Sequence, residues 1–488
     1  MPAQLTGIIM AAIPENPDDE GDLKRALGPW HLISLGIGCI IGAGIFVLTG
    51  HAAAGYAGPG VVISFAIAGL GCLFAGLCYS EYASMIPVAG SAYTYTYATM
   101  GRLLAWIIGW NLVLEYLAAA STVAVGWSGY FNNFLTRAGF PIPAAFASAP
   151  LSGHGFTDMA STGTFVNLPA VLLIGLITWV LIVGVKTSAN FNNAMVVIKL
   201  SIVLVVIFAC FSHIVPANHV PFIPPNTGEI GHFGWTGIFR ATGVIFFAYI
   251  GFDAVSVAAQ EAKNPQRDIP LGMLGSLLIC TVLYMLMSYV LTGIAPYSTL
   301  NVPHPVSEAV EHLPGTQWLA PFVNIGAVVG LASVVLVLLL AQSRVFYAMA
   351  RDGLVPKVFS EIHPRYRTPS KGNIVTGIFA AMLAGALPID ILGELVSIGT
   401  LAAFTIVCVG VMVLRVRAPH ARRPFRAPFV WFTAPAGVFM CLFMMAFLPG
   451  DTWLRLVAWT VIGLAIYFLY SVKHARPPRY SIQALPAE

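Results

Sequence analysis

The chain alternates long apolar runs with short polar breaks. Between Arg25 and Glu81 there is no charged residue over 55 positions. Further charge-free runs cover 159–185, 269–307, 312–343 and 427–450. A bilayer core about 30 Å thick is crossed by about 20 apolar helical residues. On that measure the pattern predicts twelve membrane-length helices, near 29–54, 59–85, 102–135, 165–185, 192–212, 236–260, 270–294, 319–349, 372–388, 392–414, 428–448 and 453–471. The third and eighth exceed one span, which predicts tilt or protrusion. The expected organisation is an N-terminal tail (1–23), one twelve-helix domain (24–472) and a C-terminal tail (473–488).

Composition narrows the class. Of 488 residues, 58% are hydrophobic and 9% charged. Ordinary soluble domains carry about 25% charged residues, so a soluble enzyme, a nucleic-acid binder and a disordered chain are all excluded. Charge placement says more than the net +4. With the N-terminus inside, twenty of the 24 basic residues fall on the inner side, three (Arg137, Arg240, Arg455) on the outer side, and Lys199 within a helix. The positive-inside rule then places both termini in the cytoplasm of a multi-pass plasma-membrane protein. The acidic run from Glu15 to Asp22 lacks the basic n-region of a cleavable signal. All seven cysteines lie in apolar stretches with no metal-binding spacing, and are expected to be buried small hydrophobes. No cofactor or metal is expected.

Two spans contain interruptions. In the first, Gly36, Gly38, Gly42 and Gly44 fall within nine residues at mid-span. Glycine weakens a helix and opens its backbone to close approach. Gly38 and Gly42 also form a GxxxG pair, which by itself means helix packing. In the sixth, Phe246-Phe-Ala-Tyr-Ile-Gly251-Phe-Asp253 places a glycine and an acid near mid-span. Breaks in helices one and six match an inverted five-plus-five repeat, whose half-helix ends offer amides to an anion and carbonyls to a cation. An amino acid zwitterion carries one group of each kind.

Four ionisable residues sit at or near membrane depth. Lys199 lies about nine residues into the fifth helix, roughly 13 Å deep at about 1.5 Å per residue. It either snorkels or serves as a proton-responsive group. Glu115, near the middle of the third helix, is either a protonated carboxyl bonded to a neighbour or a pocket wall favouring a cationic or small polar side chain. Glu81 is either an interfacial acid or a gate, and Asp253 either a cap for the second half of the sixth helix or a gate. No HExxH, GxSxG or metal constellation is present.

GIGCIIGAGIFVLTG (36–50) resembles the first helix of the amino acid–polyamine–organocation (APC) superfamily. AGPGVVISF (57–65), AGLCYSE (75–81), PVAGSAYTYTY (87–97) and GWNLVLEY (109–116) are similar to its cationic amino acid transporter branch. So are the stretches 246–272 and 342–359, and the resemblance covers about 24–470. It implies an all-α polytopic membrane protein of the LeuT-type fold, with repeats at about 29–212 and 236–414, extra helices at about 428–471, and discontinuous helices 1 and 6. By motif position it implies that the substrate carboxylate meets the amides of Gly42, Ala43 and Gly44. The amine would meet the carbonyls of Ile40, Phe247, Ala248 and Ile250, with Phe247 covering the substrate and Glu115 and Leu338 lining the side-chain pocket. Lys199 matches a lysine that takes the sodium position of sodium-coupled relatives, approaching Gly38, Ile41 and Ser333. This implies H+ as the coupling ion. Ala43 replaces a hydroxyl residue found in many relatives. Bulky Leu338 favours short side chains and Glu115 cationic ones, so the two clues conflict.

The expected function is transport of L-amino acids, cationic or small neutral, by proton symport. A proton-independent facilitator or exchanger is the alternative, and an amino acid sensor the alternative of another class. A channel would want a continuous polar pore lining, which the scattered charges do not supply. The lipid bilayer, the L-amino acid and a small accessory membrane subunit are the partners considered, and nucleic acid is not.

Overall fold

The computed structural model describes residues 27–86, 91–153, 159–184, 189–256 and 262–476. The expected N-terminal tail, and the C-terminal tail from 477 onward, lie outside the described residues, as do Lys24, Arg25, Lys186 and Arg479.

Helix α1 (Pro29–Ile40) begins with a proline, whose fixed φ suits a first turn, and stops at Ile41, where the backbone is extended (φ −71°, ψ 96°). The chain resumes as α2, a succession of π and α turns over Gly44–Leu48, Thr49–Ala52 and Ala53–Ala57. Then follow α3 (Val61–Met85), α4 (Ser91–Thr99), α5 (Arg102–Arg137), α6 (Leu168–Val183), α7 (Ala189–Phe211) and α8 (Gly234–Ile245). A 3-10 turn, Phe246–Tyr249, continues α8 and ends at extended Ile250 (φ −63°, ψ 137°). The remaining helices are α9 (Pro265–Ile294), α10 (Pro305–Glu311), α11 (Leu319–Arg351), α12 (Ser370–Ala386), α13 (Ile389–Arg417), α14 (Val430–Ala446) and α15 (Gly450–Ile466).

Among the described residues, eight helical stretches are long and apolar enough to cross a bilayer, and α1, α6 and α14 are shorter apolar helices. Among the described residues the fold is all-helical apart from one pair of two-residue antiparallel strands, Leu151–Ser152 and Ala160–Ser161. Helix α9 starts five residues ahead of the hydrophobic run, because Pro265 sets its first turn and Asp268 accepts from Asn264 N at 3.1 Å. Helices α4 and α10 were not predicted. Each is too short and too polar to register as an apolar span.

Burial separates inner from outer helices. The apolar window of Gly234–Ser256 is 89% buried, whereas that of Gly450–His474 is 22% buried. The outward faces are themselves apolar, with Leu172, Leu176 and Trp179 exposed on α6 and Phe208 on α7. Such faces suit hydrocarbon rather than water. Helices α5 and α15 are zipped by tryptophans. Trp110 Nε1 donates to Trp459 O (2.8 Å), Trp459 Nε1 to Trp110 O (3.0 Å) and Trp106 Nε1 to Gly463 O (2.9 Å).

One end of the bundle, here the basic face, is tied by polar bonds. Glu81 is fully buried at the end of α3 and accepts both Nε (2.9 Å) and Nη2 (2.7 Å) of Arg415 from α13, with Ala427 N adding a bond at 2.8 Å. Arg423 lies 3.3 Å from the same carboxylate and caps the C-terminus of α13 by donating to the carbonyls of Ala418 (2.6 Å) and Ala421 (2.7 Å). Leu27 and Ala262 form a parallel backbone bridge, and Lys263 N donates to Leu27 O at 2.8 Å. At the opposite end Arg137 pairs with Glu311 of α10, which also accepts from Ser307 Oγ at 3.0 Å.

Candidate functional site

The two breaks meet. A Cβ built at Gly44 would collide with Cα and Cβ of Ala248, so the resumption of α2 and the 3-10 tail of α8 touch backbone to backbone. Gly251, at φ +115°, turns the chain after Ile250 into a conformation L side chains rarely adopt, and a Cβ there would lie 2.8 Å from Cys39 Cβ. The break in α8 is thus pressed against both halves of the broken first helix.

A helix break leaves amides at one end and carbonyls at the other without intrahelical partners. At the first break the amides of Gly42, Ala43 and Gly44 head the resumed helix, and the Ile40 carbonyl ends α1. At the second the carbonyls of Phe247, Ala248 and Ile250 end the tail of α8, and that of Phe247 already accepts from Ile250 N at 3.1 Å. Hydroxyls reach four carbonyls around the breaks. Tyr284 Oη on α9 lies 2.7 Å from Ile40 O and 2.8 Å from Ala248 O. Tyr130 Oη on α5 donates to Phe46 O (2.6 Å), and Thr49 Oγ1 to Gly44 O (3.0 Å). Ile40, Ile41, Ala43, Phe247, Ala248, Ile250 and Leu338 are all buried. Gly42 faces α11, where a Cβ on it would meet Val334 at 3.4 Å, one turn before Leu338.

Lys199 is buried and donates from Nζ to Gly38 O at 2.8 Å, two residues before α1 ends. It does not snorkel. Helix α11 makes room for it at Gly330, where a Cβ would lie 3.1 Å from Lys199 Cγ. Ser333 Oγ donates back to Gly330 O (2.8 Å) within its own helix, and Ile41 N to Ile37 O (2.9 Å). Of the three groups expected around the ammonium, Gly38 bonds it among the described residues.

The acids take different positions. Glu115 is buried with both carboxylate oxygens unpartnered. Helix α11 runs antiparallel to α5. Trp127 Nε1 donates to Val328 O (2.8 Å), and a Cβ at Gly109 would lie 2.9 Å from Met349 Sδ. That register brings Gln342, also buried and unpartnered, to the height of Glu115. Glu115 and Gln342 thus leave buried polar atoms without hydrogen-bond partners, among the described residues, at one level of the bundle, and such atoms favour a site that receives polar groups. Asp253 accepts the hydroxyl of Tyr116 at 2.7 Å, which ties the region after the second break to α5 beside Glu115. Glu81 is remote from the breaks, in the arginine clamp on the basic face.

Tyr284, Tyr116, Tyr130 and Arg415 escaped the sequence reading. The available signal was generic: a phenol inside an apolar helix must find an acceptor.

The chain matches the amino acid permease family over residues 27–470. It is 46% identical over 458 residues to the branched-chain amino acid permease BcaP of Bacillus subtilis (strain 168), spanning 94% of this chain and 95% of that one. It is likewise 46% identical over 453 residues to the methylthioribose transporter of the same organism (93% and 95%). Identity is 39% over 410 residues to the vacuolar cationic amino acid transporter 4 of Arabidopsis thaliana (82% and 65%). The chain therefore belongs to the amino acid permease family of the APC superfamily. It is a multi-pass membrane transporter and not an enzyme.

Proposed function

We propose that this protein is a proton-coupled symporter of L-amino acids in the plasma membrane, working by alternating access. Its twelve helices form a LeuT-type five-plus-five repeat with two added helices, and both termini are cytoplasmic, on the basic face. The observation that carries the reading is the bond from Lys199 Nζ to Gly38 O beside the meeting of two helix breaks. A charged Lys199 holds α7 to α1 with a charge-assisted bond. A neutral one loses most of that hold, so proton occupancy biases the position of α1.

The substrate lies across the breaks. Its carboxylate takes the amides of Gly42, Ala43 and Gly44, and its amine the carbonyls of Ile40, Phe247, Ala248 and Ile250. Phe247 covers it. The side chain extends between α5 and α11, toward Leu338, Glu115 and Gln342. Leu338 limits bulk, while the unpartnered polar atoms of Glu115 and Gln342 favour a donor at the tip. Small neutral and cationic L-amino acids fit this chamber.

Reconstituted protein in vesicles with an imposed pH gradient, outside acid, should accumulate tritiated L-alanine or L-arginine above equilibrium. Uptake indifferent to the gradient reduces the protein to a facilitator or exchanger. Binding without uptake makes it a sensor.

A further inference from the structure

Tyr284 lies outside the proposed substrate contacts yet touches both breaks. It is fully buried on α9, and its ring is held by Phe65 (centroids 5.3 Å apart) and Tyr249 (5.5 Å). Its hydroxyl lies 2.7 Å from Ile40 O and 2.8 Å from Ala248 O. A phenol has one proton to donate, so the two acceptors share it and neither carbonyl is fully satisfied. Both belong to helix ends, where backbone dipoles leave partial negative charge. An ammonium brings three protons and a full charge to the same pair, and satisfies them better than the phenol can.

We propose that Tyr284 is a positioning residue that stands in for the substrate amine when the site is empty. Its hydroxyl clasps the ends of α1 and α8 so that the unloaded protein can pass between its two access states. The incoming amine then takes over the Ile40 and Ala248 carbonyls. This rests on the transport reading above and adds the half of the cycle in which nothing is carried. Two consequences are separable. The phenol competes with the amine, so its removal tightens substrate binding. It also replaces the amine in the empty carrier, so its removal slows the return step and leaves loaded exchange intact.

The test compares wild type and Tyr284→Phe in reconstituted vesicles, with tritiated L-alanine and L-arginine as probes. One assay measures net uptake into empty vesicles, and the other exchange against the same unlabelled amino acid trapped inside. For Tyr284→Phe we expect exchange within about twofold of wild type, KM lowered severalfold and net uptake lowered about tenfold, the scale set by one buried hydrogen bond. Retained exchange also certifies that the variant folds. An equal loss in both assays, or no change in either, overturns the proposal. A second variant guards against misfolding of the first. Incorporating 3-fluorotyrosine at 284 keeps the shape but makes the phenol a stronger donor, so KM should rise. A KM that stays level or falls overturns the clasp. Wild-type vesicles that move neither probe in either assay overturn the transport reading itself, a result distinct from any produced by the variants.

Discussion

Lys199 Nζ and Gly38 O stand 2.8 Å apart, joining the middle of α7 to α1 two residues before that helix ends. Replacing Lys199 with Ala removes the donor and the group that takes up the proton. Gradient-driven accumulation should fall at least about tenfold, the value of a charge-assisted bond, while exchange at matched pH persists. Uptake by Lys199→Ala under imposed gradients of either sign checks this, and full gradient-driven accumulation would remove Lys199 from the coupling step.

Gly44 allows the two breaks to touch, because a Cβ there collides with Ala248. Gly44→Ala should cost about 1–3 kcal/mol through overpacking, read as a lower melting temperature and at least tenfold slower uptake. Gly55 is the control. A Cβ at Gly55 meets nothing within 4 Å, so Gly55→Ala should leave transport unchanged and stability level or slightly improved. Similar losses in the two variants would refute the contact as the cause.

Glu81 is fully buried and holds Arg415 with two bonds while Arg423 lies 3.3 Å away. Removing one partner of a buried ion pair strands the other and costs about 3 kcal/mol or more. Glu81→Gln should therefore lower the melting temperature in detergent by several degrees with KM unchanged. A changed KM at unchanged stability would support the gating role expected for Glu81.

At the opposite end, burial alone would raise the Glu311 carboxyl, but the bonds from Arg137, Ser307 and Asn133 outweigh it and hold it below its usual range. A depressed carboxyl stabilises the fold above its unfolded value, and the contribution is lost as pH falls through the folded one. Melting temperatures of wild type and Glu311→Gln should thus differ at pH 7 and converge as the pH drops below the ordinary carboxylate range. A difference that persists undiminished in acid would assign the contact to packing alone.

The long helices were legible because hydrophobic length is written locally, and the breaks because glycines and the run from Phe246 to Asp253 interrupt it. Lys199 stood out because a charge at that depth has few bland explanations. Tyr284 did not, since its acceptors are backbone carbonyls 244 and 36 residues away, and no side-chain pattern records them. Glu81 and Arg415 lie 334 positions apart, and each on its own reads as an ordinary charge flanking a span. Motif position puts Ser333 and Ile41 near the lysine, and their own hydrogen bonds run along the helix that carries them. Helix α4 is closed by partners outside itself, Tyr93 Oη donating to Asp352 Oδ2 at 2.7 Å, which hydropathy does not register.

The bridge between Leu27 and Ala262 is made by backbone, so it depends little on which side chain other than proline stands at either position. It fastens the strand of chain entering α1 to the strand entering α9. Any opening toward the basic face that parts the two segments breaks this backbone bond, at a cost of about 1 kcal/mol, whereas an opening that carries both segments together keeps it.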